Sequence, residues 1–148
     1  MSNFNFKEIH IGSLIKQRIT ELGEEMEMNR ICNFLKCTEL DVLEMYQAES
    51  LDSKLLLRWS KLLEYDFFRI YSQHLILFSP KSAETIRAQS TTTLPLFRKN
   101  IYMREIIEFI IELIQSGKKN KEQVIKEYRI PKTTLYKWID KYQHNEKT

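Results

Sequence analysis

Apolar residues recur along this chain mainly at intervals of three and four, the spacing of one helical face. Ile11, Leu14, Ile15, Ile19 and Leu22 predict a helix over 11–22, stopped by Gly23. Met28, Ile31, Cys32 and Leu35 predict a second over about 25–35. The run Thr38-Glu-Leu-Asp41 has the form of a capping box with Asp in the Glu position. It should start a third helix reaching about Gln47, with Leu40, Leu43 and Met45 or Tyr46 inward. Asp52 or Ser53 would cap a fourth over 54–63, and a fifth should begin at Asp66 and carry Phe67, Phe68, Ile70, Tyr71 and Leu75. Trp59 is in phase with Leu55, Leu62 and Leu63, so the aromatic cluster Trp59, Tyr65, Phe67, Phe68, Tyr71 and Phe78 is expected to pack as core rather than to stack nucleic-acid bases.

Periodicity then lapses. The stretch 79–100 holds Pro80, Pro95 and three consecutive threonines, Thr91 to Thr93, and predicts a linker. A long helix follows over 102–115. Tyr102, Ile106, Phe109, Ile110 and Leu113 form one stripe, with Ile107, Ile111 and Ile114 beside it. Gly117 ends it, 118–120 turns, and 121–129 is the next helix. The last helix starts at Pro131, which suits a first helical position because it has no N–H and a preset φ. It should bury Leu135, Trp138, Ile139 and Tyr142, leaving Thr133, Lys137 and Asp140 opposite, flanked by Thr134, Tyr136 and Lys141. The expectation is an all-α protein of two small helical domains: an acidic unit over 1–79, a linker over 80–100 and a basic three-helix unit over 101–148.

The run Tyr128-Arg-Ile-Pro-Lys-Thr-Thr-Leu-Tyr-Lys-Trp138 resembles the helix-turn-helix of insertion-sequence transposase proteins and related bacterial regulators. The resemblance covers about the last third of the chain. It implies that Ile130 is the buried turn residue and that Lys132, Thr133, Thr134, Tyr136 and Lys137 face DNA, with Trp138 anchoring the helix from behind. The N-terminal half, opening with Ile-Gly-x-x-Ile-Lys-x-Arg, more loosely resembles a phage-repressor-like helical domain. It departs from that pattern where DNA would be read: the third helix carries Glu39, Asp41 and Glu44 and no Lys or Arg. Carboxylates facing phosphates weaken binding, so this half reads as a scaffold or protein-interaction domain.

Charge sharpens the division. Residues 1–79 hold 9 Lys/Arg against 12 Asp/Glu, and residues 80–148 hold 14 against 8. A polyanion would attract the second half and weakly repel the first. Lys118, Lys119, Lys121 and Lys141 are the expected phosphate contacts, with Arg87, Arg98 and Lys99 as linker candidates.

No chemistry-bearing constellation stands out: there is no glycine-rich phosphate loop, nucleophile elbow or metal-binding His/Glu motif. Cys32 and Cys37 stand five apart, a spacing that does not align both thiols on one helical face, and no second pair completes a zinc site. No cofactor or metal and no enzymatic activity are expected. No apolar run approaches ~18 residues, and the start lacks the basic-then-apolar order of a signal peptide, so a cytoplasmic, non-membrane protein is expected. The leading expectation is a double-stranded DNA-binding protein, either a transcriptional regulator or the recognition subunit of a mobile element. The alternatives are a helical adaptor that binds an acidic partner and, behind it, a single-stranded RNA binder. The surplus stripe Ile107, Ile111 and Ile114 suggests either a homodimer seam or docking within the chain.

Overall fold

Helix starts here are set by side chains that accept from the otherwise unpaired first amides. His10 Nδ1 takes the Ser13 N–H at 3.2 Å and starts α1, Ile11–Leu22. Thr38 and Asp41 satisfy each other's amides in a full capping box that starts α3, Glu39–Gln47. Asp52 caps α4, Ser53–Leu62, through the Leu55 N–H at 2.9 Å. Asn120 and Gln123 form a second capping box at the head of α8, Lys121–Tyr128. The remaining helices are α2, Met28–Leu35; α5, Phe68–Phe78; α6, Ala83–Gln89; α7, Arg104–Gln115; and α9, Lys132–Asn145. The structure is a computed structural model that describes residues 4–89, 91–97 and 100–145. Among these residues the fold is all-α, with no strand and no helix long and apolar enough to cross a membrane.

The chain divides into two units, Asn5–Tyr71 and the part from Ser72 onward. Sequence pattern places the boundary after residue 79, whereas the division falls inside α5. Gln73 supplies a physical reason. Its side chain is buried, donates to Ile101 O at 2.6 Å and accepts from Met103 N–H at 2.9 Å, so it fastens this part of α5 to the start of α7. Nothing in a periodicity plot marks a polar residue as such a fastener.

The first unit is built around Trp59, which is fully buried and donates its indole N–H to Met45 Sδ at 3.2 Å. Ile11, Ile15, Ile31, Leu35, Val42, Leu56, Leu63, Phe67 and Ile70 complete the core. The amides of Ile11 and Gly12 at the head of α1 donate to Glu49 O and Ala48 O, at 2.9 and 3.0 Å, directly after α3. This backbone-on-backbone approach requires a glycine: a Cβ at Gly12 would lie 2.6 Å from Tyr46 O and 2.7 Å from Ala48 O.

Several expectations are corrected. Leu40 and Leu43 are not inward but 72% and 49% exposed, and Val42 is the fully buried residue of α3. In this short helix Val42, Met45 and Tyr46, not the leucines, share the inner side. A 3₁₀ turn over Gly23–Glu25 precedes α2, which therefore starts at Met28. Leu75 lies on the exposed side of α5. The expected linker contains helix α6, started by Ser82, whose Oγ accepts from Thr85 N–H at 3.2 Å. With seven residues it is too short for its apolar spacing to show. On α7, Phe109 is exposed and Ile111 is buried, while Ile107 and Ile114 are half-buried. Of the expected surplus stripe, Ile111 is therefore enclosed and the other two are partly covered.

Candidate nucleic-acid interface

In the second unit α7, α8 and α9 surround Ile106, Ile110, Val124, Tyr128, Ile130, Leu135 and Ile139, all buried. Leu135 and Ile139 fix the inner side of α9. Its flank is tied to the region of α7 by two further contacts. The Trp138 ring meets Tyr102 edge-on at 5.0 Å, and the Tyr142 hydroxyl donates to Glu108 Oε1 at 3.4 Å. Both side chains are half-buried rather than enclosed. Glu108 also accepts from Arg104 Nε at 2.7 Å.

The connection from α8 to α9 is three residues long. Arg129 adopts the left-handed conformation, φ 54°, that stops α8. Ile130 plugs the turn at 1% exposure, and Pro131 leads into α9. Leu135 N–H donates to Pro131 O at 3.0 Å, so Pro131 stands at the cap of α9. Proline has no side-chain acceptor. Pro131 therefore cannot accept from the first amides of α9 as Asn120 does from those of α8, and a helix start without such an acceptor is suited to an anion.

The outward face of α9 presents Lys132, Thr133, Lys137 and Lys141, all exposed, together with Asp140. Tyr136, 39% exposed, has two ammonium groups near its ring: Lys121 Nζ at 5.0 Å and Lys132 Nζ at 5.6 Å from its centroid. Two lysines distant in sequence, one heading α8 and one heading α9, are thus gathered at one aromatic residue. Cation–π attraction holds each in place, and their mutual repulsion favours a shared anion. Lys132 thus stands beside Lys121 at the Tyr136 ring.

Other members of the expected set stand elsewhere. Thr134 is half-buried and lines a groove of about 470 Å³ with Ile86, Phe97, Tyr102 and Arg129. Lys119 is ion-paired with Glu127, whose hydrogen bond holds the ammonium above the usual lysine range. Lys118 is exposed. Arg98 and Lys99 lie outside the described residues.

Sequence reasoning missed Arg129. A non-glycine residue held at positive φ costs about 1 kcal/mol or more, and here it puts an exposed guanidinium beside the start of α9. Its one visible signal was its place just after a helix, where glycine is usual.

Among the described residues no group of three or more His, Cys, Asp or Glu side chains could hold a metal ion. Comparison with known proteins gives no matching family model, no matching curated protein and no matching solved structure.

Proposed function

We propose that this protein binds double-stranded DNA through its C-terminal unit and has no catalytic role of its own. It would serve as a transcriptional regulator or as the recognition subunit of a mobile element. The observation that carries this reading is the outward face of α9, where Lys132, Thr133, Lys137 and Lys141 are exposed while Leu135 and Ile139 anchor the helix from behind. A short, rigidly backed helix of this kind fits the major groove. Thr133 and Lys137 are the proposed base readers, the threonine methyl meeting thymine and the lysine donating to guanine O6 or N7. Lys118, Lys121, Lys132, Lys141 and Arg129 are assigned to phosphates.

A two-fold pair would double the few base contacts of one such helix, with half-sites about one helical turn apart. On α7 the surface for it is Ile107 and Ile114, not the buried Ile111. Sedimentation at micromolar concentration, with and without duplex, tests this part.

A second reading concerns the first unit. The exposed side of α3 is apolar and acidic, with Leu40, Leu43, Glu39 and Glu44, and suits a protein partner better than a phosphate backbone. The decisive experiment on the whole proposal is titration of the full chain with random duplex DNA across a salt series, followed by selection from a random duplex pool. Salt-sensitive binding and an enriched motif support it. Absence of any binding at low salt overturns it in favour of a helical adaptor.

A further inference from the structure

Both cysteines of the chain flank the end of α2, Cys32 in its last turn and Cys37 in the connection to α3. Five positions along a straight helix would separate their side chains by roughly 140°. The structure does not keep the helix straight. Lys36 is left-handed, φ 54°, and its N–H and that of Cys37 both reach Cys32 O, the latter at 3.1 Å. In a helix stop of this type the residues at these two positions bring their side chains together. Here those two positions are Cys32 and Cys37, so the helix stop sets the two thiols side by side. Both are only half-buried, so a small oxidant can reach them. The corresponding positions of the α8–α9 joint hold Ile125 and Ile130, which means that plain apolar side chains serve at such a joint.

We propose that Cys32 and Cys37 form a reversible modification site, an intramolecular disulfide made by peroxide and undone by a dithiol. In the first step the Cys32 sulfur attacks one peroxide oxygen; the O–O bond breaks, water leaves, and Cys32 becomes a sulfenic acid. In the second the Cys37 sulfur attacks the Cys32 sulfur, the S–O bond breaks, and the Cys37 proton departs with the oxygen as a second water. Two thiols and one peroxide thus give one disulfide and two waters. Cys37 gives up its proton as its sulfur attacks; burial foremost, then the neighbouring Cys32 and Asp41, hold this thiol above its usual range, which slows the second step and gives the sulfenic acid a longer life. The bond would join the stop of α2 to the residue before Thr38, the cap of α3. It would pin the joint where Arg58 Nη1 already donates to Leu35 O at 2.8 Å.

The test uses the full chain, hydrogen peroxide and tryptic digestion without reductant. Lys36 lies between the cysteines, so cleavage leaves them on separate peptides, 31–36 and 37–54. The expected product is a monomer lighter by two hydrogens whose two peptides stay joined and separate with dithiothreitol. Cys37→Ser should instead accumulate a Cys32 sulfenic acid that dimedone traps. Unlinked peptides carrying sulfinic acid, linkage only between chains, or thiols unchanged under peroxide would each overturn the proposal and leave the pair as apolar packing. Should Cys37→Ser fail to fold, the digest of the unmutated chain decides alone.

Discussion

Two joints in this molecule are built alike and face their surroundings differently. In each, an eight-residue helix ends at a cation in the left-handed region with φ 54°, Lys36 or Arg129, and two further residues lead into the next helix. In register, buried Val42 corresponds to buried Leu135, and outward Leu40, Leu43 and Glu44 correspond to outward Thr133, Tyr136 and Lys137. The left-handed turn residue and the buried aliphatic residue of the following helix are shared. The outer face is apolar and acidic in one case, hydroxyl-bearing and basic in the other. The local fold therefore does not decide what a joint binds; the side chains on its free face do.

The largest effect expected from testing this comparison is on the cores. Trp59 has no exposed surface; Trp59→Ala should cost about 3–5 kcal/mol and unfold the first unit in a denaturant melt. Trp138 is half-buried against Tyr102. Trp138→Ala should cost roughly half as much, since the loss scales with the apolar area withdrawn from water. Equal losses would mean that the two units do not differ in how deeply they enclose their tryptophans.

Next in size is the outward face of α9. Lys137→Ala should lower affinity for the selected site by about 1–3 kcal/mol and relax base preference at one position. Glu44→Ala, at the matching position of the other joint, should leave duplex binding unchanged or raise it slightly. If both substitutions act alike on every sequence, Lys137 contacts phosphate and is not a base reader.

Much of this pairing was legible in the sequence. The apolar spacing of 11–22 and 102–115, the Thr38–Asp41 box and the Ile130–Pro131 turn all report on local rules, and the structure has the corresponding helices with boundaries moved by at most a few residues. The misreadings arose where a partner distant in sequence decides. Leu40 and Leu43 look inward on a wheel, but Val42 is the residue of α3 that is fully buried. Ile111 looks surplus on a wheel, yet it is buried. The pairing of Lys119 with Glu127 and the convergence of Lys121 and Lys132 on Tyr136 need tertiary geometry. So does the meeting of Cys32 with Cys37, because it depends on a single left-handed residue.

A smaller effect separates strain from function at the two cations. Lys36→Gly and Arg129→Gly each replace a left-handed non-glycine residue and should each stabilise the protein by about 1 kcal/mol. Only Arg129→Gly should weaken duplex binding, across all sequences, and reduce the magnitude of the log-affinity versus log-salt slope by roughly one. Thermal melts and salt titrations of the two variants side by side measure both quantities. An unchanged slope for Arg129→Gly would remove Arg129 from the phosphate contacts.

The smallest expected effect concerns the capping boxes, which differ in whether they titrate. The box of α3 uses the carboxylate of Asp41, and that of α8 uses the neutral amide of Gln123. Hydrogen bonds from the Thr38 amide first, and then the Thr38 hydroxyl, hold the Asp41 carboxyl below its ordinary value. A depressed folded-state value means that the ionised carboxylate stabilises the fold at pH values above the unfolded pKa. The contribution is lost as pH falls through the folded one. Acid should therefore loosen the head of α3 while leaving the head of α8 unaffected by its own box. Amide hydrogen exchange from pH ~5 to ~2, corrected for intrinsic rates, should show falling protection at Thr38 and Asp41 and level protection at Asn120 and Gln123. Asp41→Asn should remove the pH dependence at α3 and make the two boxes behave alike. Parallel losses at both heads in the unmutated chain would mean instead that acid acts through global unfolding, and that the carboxylate in the first box makes no separate contribution.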